Sequence, residues 1–137
     1  MPIVGAQINK IEGKRGELER ELKIKSNVEL LDVSKKDVSI GQDKQNMINF
    51  NYRFTVEYSE NIAIILEGVI YYTSTDEKMI AIVKKWEKDK KLEHDMIVPI
   101  LNHAMELGYI QAIGISDKLR LPPPIKMPKF VSKETSA

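Results

Sequence analysis

The sequence contains no cysteine, which excludes disulfide bonds, thiolate metal sites and cysteine catalysis. Charged residues make up 30% of the chain and leave no apolar run long enough to span a bilayer. A charge excess is also lacking, since the net charge of +1 predicts neither nucleic-acid binding nor membrane insertion. The amino terminus has no secretion-signal pattern. With 137 residues, 42% of them hydrophobic, we expect one folded, soluble, cytoplasmic domain.

The sequence also lacks the common catalytic and metal-binding motifs. The two histidines, His94 and His103, are too far apart for an H-E-x-x-H zinc site, and His103 is expected to be solvated on a helix. Nucleophile-elbow, P-loop and dinucleotide-binding patterns are missing from the sequence. We therefore expect no enzyme, no metal and no cofactor.

Period-two alternation predicts an antiparallel hairpin. From Met47 to Tyr58 the even positions are apolar or aromatic and the odd positions are mostly polar, which indicates a strand with one buried face. A second alternating run extends from Ile62 to Thr73, and the three polar residues between the runs suit a tight connection.

Two further strands are predicted upstream of this hairpin. Alternation from Leu22 to Leu30 indicates a strand, and a slip of phase at Leu31 indicates a bulge. Weaker alternation over Pro2–Glu12 indicates a first strand. The polar segment Lys35–Asn46 is predicted to be a loop, although its few apolar residues could extend the pairing.

The hydrophobic period then changes from two to that of a helix. Ser74–Glu77 has the pattern of a capping box, and the apolar positions that follow indicate a short amphipathic helix. A longer helix is predicted from Asp95 to about Ile115, with Pro99 tolerated in its opening turns. The expected fold is therefore α+β: a four-stranded antiparallel sheet followed by a short and a long helix packed on one face.

The predicted elements carry more apolar surface than a monomer needs. The long helix is apolar around most of its circumference, whereas a surface helix needs one stripe. Ile65, Val69 and Tyr71 would also lie exposed on a lone sheet. Burying a few hundred Å² of this surface would contribute several kcal/mol, so we expect an oligomer.

The carboxyl-terminal segment contains three consecutive prolines, Pro122–Pro124, which exclude a helix. Leu119–Pro128 is predicted to lie along the domain as an extended strap, the alternative being a ligand for a proline-binding module. We expect a single domain over residues 1–130 and a short flexible tail over 131–137.

This order of elements resembles the SecB family of protein-export chaperones. The residues that carry the resemblance are Met96–Asn102 with its early proline, the exit Leu119–Pro123, the first strand Ile8–Glu12, and the hairpin segments Phe54–Glu57 and Glu67–Ile70. The resemblance implies an ATP-independent holdase for non-native polypeptides that assembles as a dimer of dimers. The polar sheet face is mixed in charge rather than acidic, so a translocation motor as partner stays open, as does a dedicated client such as an antitoxin.

Under this reading, the client-binding groove is lined by apolar, aromatic and adaptable side chains. For each of them, a place in the core or at a subunit interface is the alternative, and Trp86 is the favoured client contact. Two other functions stay open: a purely structural subunit, and a small-molecule module lined by Tyr52, Tyr58 or Tyr72. The candidate groove residues are Tyr71, Met79, Val83, Trp86, Leu101, Met105, Tyr109, Leu121 and Ile125.

Overall fold

The chain folds as an α+β domain with a four-stranded antiparallel sheet followed by two helices, which confirms the predicted fold class. The computed structural model describes residues 3–17, 23–40 and 43–124. The elements are β1 (Ile3–Lys14), β2 (Lys25–Ile40), β3 (Asp43–Ser59), β4 (Ile62–Tyr72), α1 (Asp76–Asp89) and α2 (His94–Lys118).

The strands lie in the order β1-β4-β3-β2. Strands β2, β3 and β4 form a meander, and the predicted hairpin between β3 and β4 is confirmed, with Phe54 opposite Leu66 in its register. Strand β1 pairs with β4, so β1 and β2, which are consecutive in the chain, form the two opposite edges of the sheet. The predicted bulge is also confirmed, because the register of β2 shifts between Leu30 and Asp32.

Strands β1, β2 and β3 extend past the ends that alternation predicted, whereas β2 begins at Lys25 rather than at Leu22 and β4 ends at Tyr72 rather than at Thr73. The predicted loop over residues 35–46 is wrong, because β2 and β3 stay paired as far as Ile40 and Asp43; the alternative expectation, that the apolar residues of this segment extend the pairing, is confirmed. Strand β1 likewise continues to Lys14, past the predicted end at Glu12. The backbone pairing of β2 and β3 therefore continues through a segment whose sequence is mostly polar.

Both helices pack on the sheet face formed by the even positions of β3 and β4. Phe50, Phe54, Ile64 and Leu66 are fully buried there. On the face of α2 that packs against the sheet, every fourth residue is buried. Most of these residues are small, which lets the helix approach the strands closely. Its buried residues are Ile100, Ala104, Gly108, Ala112 and Ser116.

The helix ends are closed by local hydrogen bonds. The Thr75 side chain accepts from the backbone N–H of Lys78 and caps α1, one residue after Ser74, which the capping-box pattern predicted as the cap. At the end of α2, the N–H of Leu121 donates to the carbonyl of Ser116 at 2.8 Å and that of Arg120 donates to Asp117, which is a Schellman motif. No helix within the described ranges is long and apolar enough to cross a membrane.

The segment after α2 returns to the body of the domain. Leu121 and Pro124 are buried, and the Tyr58 hydroxyl donates a hydrogen bond to the Pro122 carbonyl at 2.7 Å. These contacts confirm the predicted strap as far as Pro124. Its continuation to Pro128 lies outside the described residues.

The opposite face of the sheet is mostly polar and solvated. Arg53 bridges Glu29 at 2.9 Å and Glu67 at 3.8 Å, across three neighbouring strands. The expectation that Val69 lies exposed on this face is wrong, because it is only 4% exposed and is flanked in register by Gln7 and Asn51. Part of the predicted apolar surplus is therefore covered within a single chain.

Candidate functional site

The nine candidate groove residues do not converge on one surface. Tyr71 lies on the polar face of the sheet, where its hydroxyl donates to the Gln7 side chain at 3.1 Å. The candidates on α1 and α2 belong to the opposite side of the sheet. Tyr71 and the helical candidates therefore cannot line a single groove. Ile125 lies outside the described residues.

Three candidates are core residues in this structure. Met79 is 1% exposed, and Trp86 and Leu121 are each 7% exposed, all within one apolar cluster with the sheet. Truncating a buried tryptophan leaves a cavity that costs about 3–5 kcal/mol. Trp86→Ala is therefore a test of stability before it is a test of client capture.

The remaining helical candidates are half-buried. Val83 and Met105 pack against the core cluster, and Leu101 is half-buried on α2. The Tyr109 ring meets Phe54 edge-on with centroids 5.1 Å apart, and its hydroxyl is hydrogen-bonded to Ser26 of β2. Tyr109 thus anchors α2 to the sheet.

An open apolar groove lies between α1 and the first turns of α2. Its volume is about 350 Å³. Ile82, Leu92 and Met96 are half-buried and packed against the core, so they form a fixed apolar floor. Lys85 bridges Glu93 at 3.5 Å at the rim. The groove is lined by Tyr72, Lys78, Ala81, Ile82, Lys85, Leu92, Glu93 and Met96.

Sequence reasoning missed most of this groove. The amphipathic helix predicted for α1 is confirmed, but its apolar residues have different environments. Met79 and Trp86 are buried in the core, whereas Ile82 lines the groove. Leu92 lies in the connector between the helices, where no periodicity marks it. Met96 is one of the six methionines of the chain, and the sequence places it near the start of the long helix. Nothing in the sequence places it beside α1.

A second concavity, here called the Trp86 cleft, lies close to the groove at the α1–α2 connector. It has a volume of about 320 Å³ and is lined by Leu30, Trp86, Lys90, Lys91, Leu92 and Ile97. Leu92 lines both concavities, so the groove and the cleft meet at this side chain.

A larger concavity of about 610 Å³ lies on the polar face of the sheet. Three basic and three acidic side chains line it, and four of the six are joined by salt bridges, as Lys10 bridges Glu67 at 3.4 Å and Arg53 bridges Glu29 at 2.9 Å. Exposed ion pairs of this kind stabilise little and offer little apolar area. The groove fits apolar ligands better, although it is smaller.

The tyrosines proposed for a small-molecule pocket separate into two groups. Tyr52 and Tyr58 are each 1% exposed within the core, and burial raises the pKa of both hydroxyls. Tyr72 lines the groove. Within the described ranges no cluster of three or more histidine or carboxylate side chains could hold a metal ion.

Comparison of the chain with protein-family models, with curated proteins and with solved structures finds no match.

Proposed function

We propose that the protein is an ATP-independent holdase that binds apolar segments of non-native polypeptides in the groove between α1 and α2. The observation that carries the proposal is the fixed apolar floor of Ile82, Leu92 and Met96, which is open in a single chain. A protein that binds unfolded chains and not native ones lowers the free concentration of aggregating species by mass action.

Several features of the groove suit an extended client. Methionine adapts its shape to different apolar partners, and Met96 lies in the floor. Lys78 and Lys85 stand at the rim beside a single carboxylate, so acidic residues that flank an apolar client segment would be attracted. The resemblance to the SecB family supports the same class of function, and with it a cytoplasmic location and a dimer of dimers.

The test is suppression of aggregation of a heat-labile enzyme by the protein and two variants. Ala81 is exposed and lines the groove, so Ala81→Glu places a larger charged side chain there without removing a core contact. We expect this variant to lose most of the suppression, because the apolar floor is then screened by a carboxylate.

The matched control is Ile80→Glu, which adds the same charge one position away. Ile80 is 42% exposed and is not part of the groove lining. This variant should keep the suppression of the unmodified protein. Equal suppression by Ala81→Glu and Ile80→Glu, with both variants folded by circular dichroism, would place client binding elsewhere.

A further inference from the structure

The Trp86 cleft combines an apolar floor with unpaired positive charge. Leu30 of β2 and Ile97 of α2 form the apolar part, and Lys90 and Lys91 stand at the connector. Neither lysine forms a salt bridge with any residue in the described part of the chain. The cleft therefore carries two cationic groups and no carboxylate in its lining.

The position of Lys90 is set by the left-handed turn that ends α1 and by two contacts with Trp86. Its φ of 54° lies in the left-handed region, which is uncommon for a residue other than glycine. Its N–H donates to the Trp86 carbonyl at 2.8 Å, and its ammonium lies 5.6 Å from the centroid of the Trp86 ring. The αL turn thus holds a charged side chain beside the indole.

The indole adds a third feature. Trp86 is more than nine-tenths buried, and its Nε1–H finds no acceptor among the residues that the structure describes. A buried donor without a partner is uncommon, because it loses its hydrogen bond to water without gaining another. Because the nitrogen itself is buried, the indole contributes ring surface to the cleft, next to the Lys90 ammonium, and does not offer its N–H to a ligand there.

We propose that the Trp86 cleft binds the terminal carboxylate of a client polypeptide whose last residues are apolar. The two ammonium groups would receive the carboxylate, and Leu30, Leu92 and Ile97 would contact the last apolar side chain. This inference rests on the proposed function, because the chain would enter along the groove and end in the cleft, which meets the groove at Leu92.

The sole tryptophan of the chain is Trp86, so its fluorescence reports directly on the cleft. The probes are two tryptophan-free peptides of one apolar sequence, one with a free terminal carboxylate and one amidated. We expect saturable fluorescence changes with both, and an affinity about tenfold higher for the free acid, since hydrogen bonds to a charged group are the stronger ones.

The double variant Lys90→Gln/Lys91→Gln should bind both peptides equally, at the affinity of the amide. The matched control is Lys84→Gln/Lys118→Gln, which removes the same charge from two exposed positions outside both concavities and should keep the preference. Loss of the preference in the control would overturn the proposal, because the effect would then be one of net charge.

The remaining outcomes separate this proposal from the proposed function. Equal affinity for the two peptides in the unmodified protein overturns the carboxylate site and leaves the groove in place. Absence of binding by both peptides overturns the proposed function as well. Decanoate serves as a third probe: if it binds with the same dependence on Lys90 and Lys91 while the peptides do not, the ligand is a free fatty acid and the polypeptide assignment is wrong.

Discussion

Two buried tyrosines on β3 occupy the same side of one strand and differ in how their hydroxyls are satisfied. Tyr58 donates to the Pro122 carbonyl at 2.7 Å. The Tyr52 hydroxyl lies above Gly68 and has no partner among the residues in the described ranges. A buried hydroxyl without a partner costs free energy, whereas a paired one makes a net contribution of about 1 kcal/mol.

Phenylalanine substitutions should therefore have opposite effects at the two positions. We expect Tyr58→Phe to lower the free energy of unfolding by about 1 kcal/mol, because the strap loses its hydrogen bond. Tyr52→Phe should leave the stability unchanged or raise it by up to about 1 kcal/mol, because the ring stays and the unpaired hydroxyl is removed. Urea unfolding followed by Trp86 fluorescence measures both. A clear loss in Tyr52→Phe would show that its hydroxyl is hydrogen-bonded in solution.

The contact between α2 and β3 depends on a glycine. A Cβ built on Gly108 would lie 2.5 Å from the Phe54 ring, so the helix and the ring are as close as a residue without a side chain permits. Gly114, two turns later in the same helix, has no neighbour within 4 Å of the same position. The two glycines therefore have different physical roles in one element.

Alanine substitutions separate these roles. Gly108→Ala should destabilise the domain by about 1–3 kcal/mol, because the ring or the helix must move. Gly114→Ala should stabilise it by about 0.5–1 kcal/mol, because the helix loses a flexible residue in open space. Thermal unfolding compares the two variants directly. A similar gain in both would mean that α2 lies farther from β3 than the structure places it.

How far the sequence predicts this fold depends on whether an element has one buried face. Strands β3 and β4 follow from alternation, since one side of each strand covers the core, and the start of α1 follows from the capping pattern to within one residue. The paired ends of β2 and β3 were predicted only as the alternative to a loop, because Val38 and Ile40 are the only apolar residues in Lys35–Asn46. The i+4 series from Ala104 to Ser116 was present in the sequence and marks the docking face of α2.

The candidate site was harder to predict than the fold. The helical stripe on α1 indicates which residues share a face, but not where the edge of that face meets the next helix. Met79 consequently belongs to the core and Ile82 to the groove, although both fit the same period. The groove exists because Met96, near the start of α2, lines the same surface as Ile82 of α1, and both adjoin Leu92 in the connector between the helices.

At the scale of the whole molecule, the close docking of α2 leaves large side chains on its outer surface. The stripe of α2 that faces the sheet consists mainly of small residues. Ile110 and Ile113 lie outside this stripe, and they are 66% and 37% exposed. These two residues share one helix face at a spacing of three. Single exposed apolar residues are ordinary, but neighbouring ones form a patch that favours a partner.

We predict that this outer face of α2 packs against a second copy of the chain. Because Ile110 and Ile113 do not line the groove, substitutions there should abolish assembly without altering the client-binding surface. Native mass spectrometry should show a multiple of the 15.7 kDa chain mass for the unmodified protein. Ile110→Glu/Ile113→Glu should shift the mass to a single chain, because four charges would otherwise meet across a twofold interface. Ile80→Glu alters an exposed isoleucine on α1 and should leave the assembly intact. A single-chain mass for the unmodified protein at micromolar concentration would contradict the interface, and the open groove within one chain would then be sufficient for client binding.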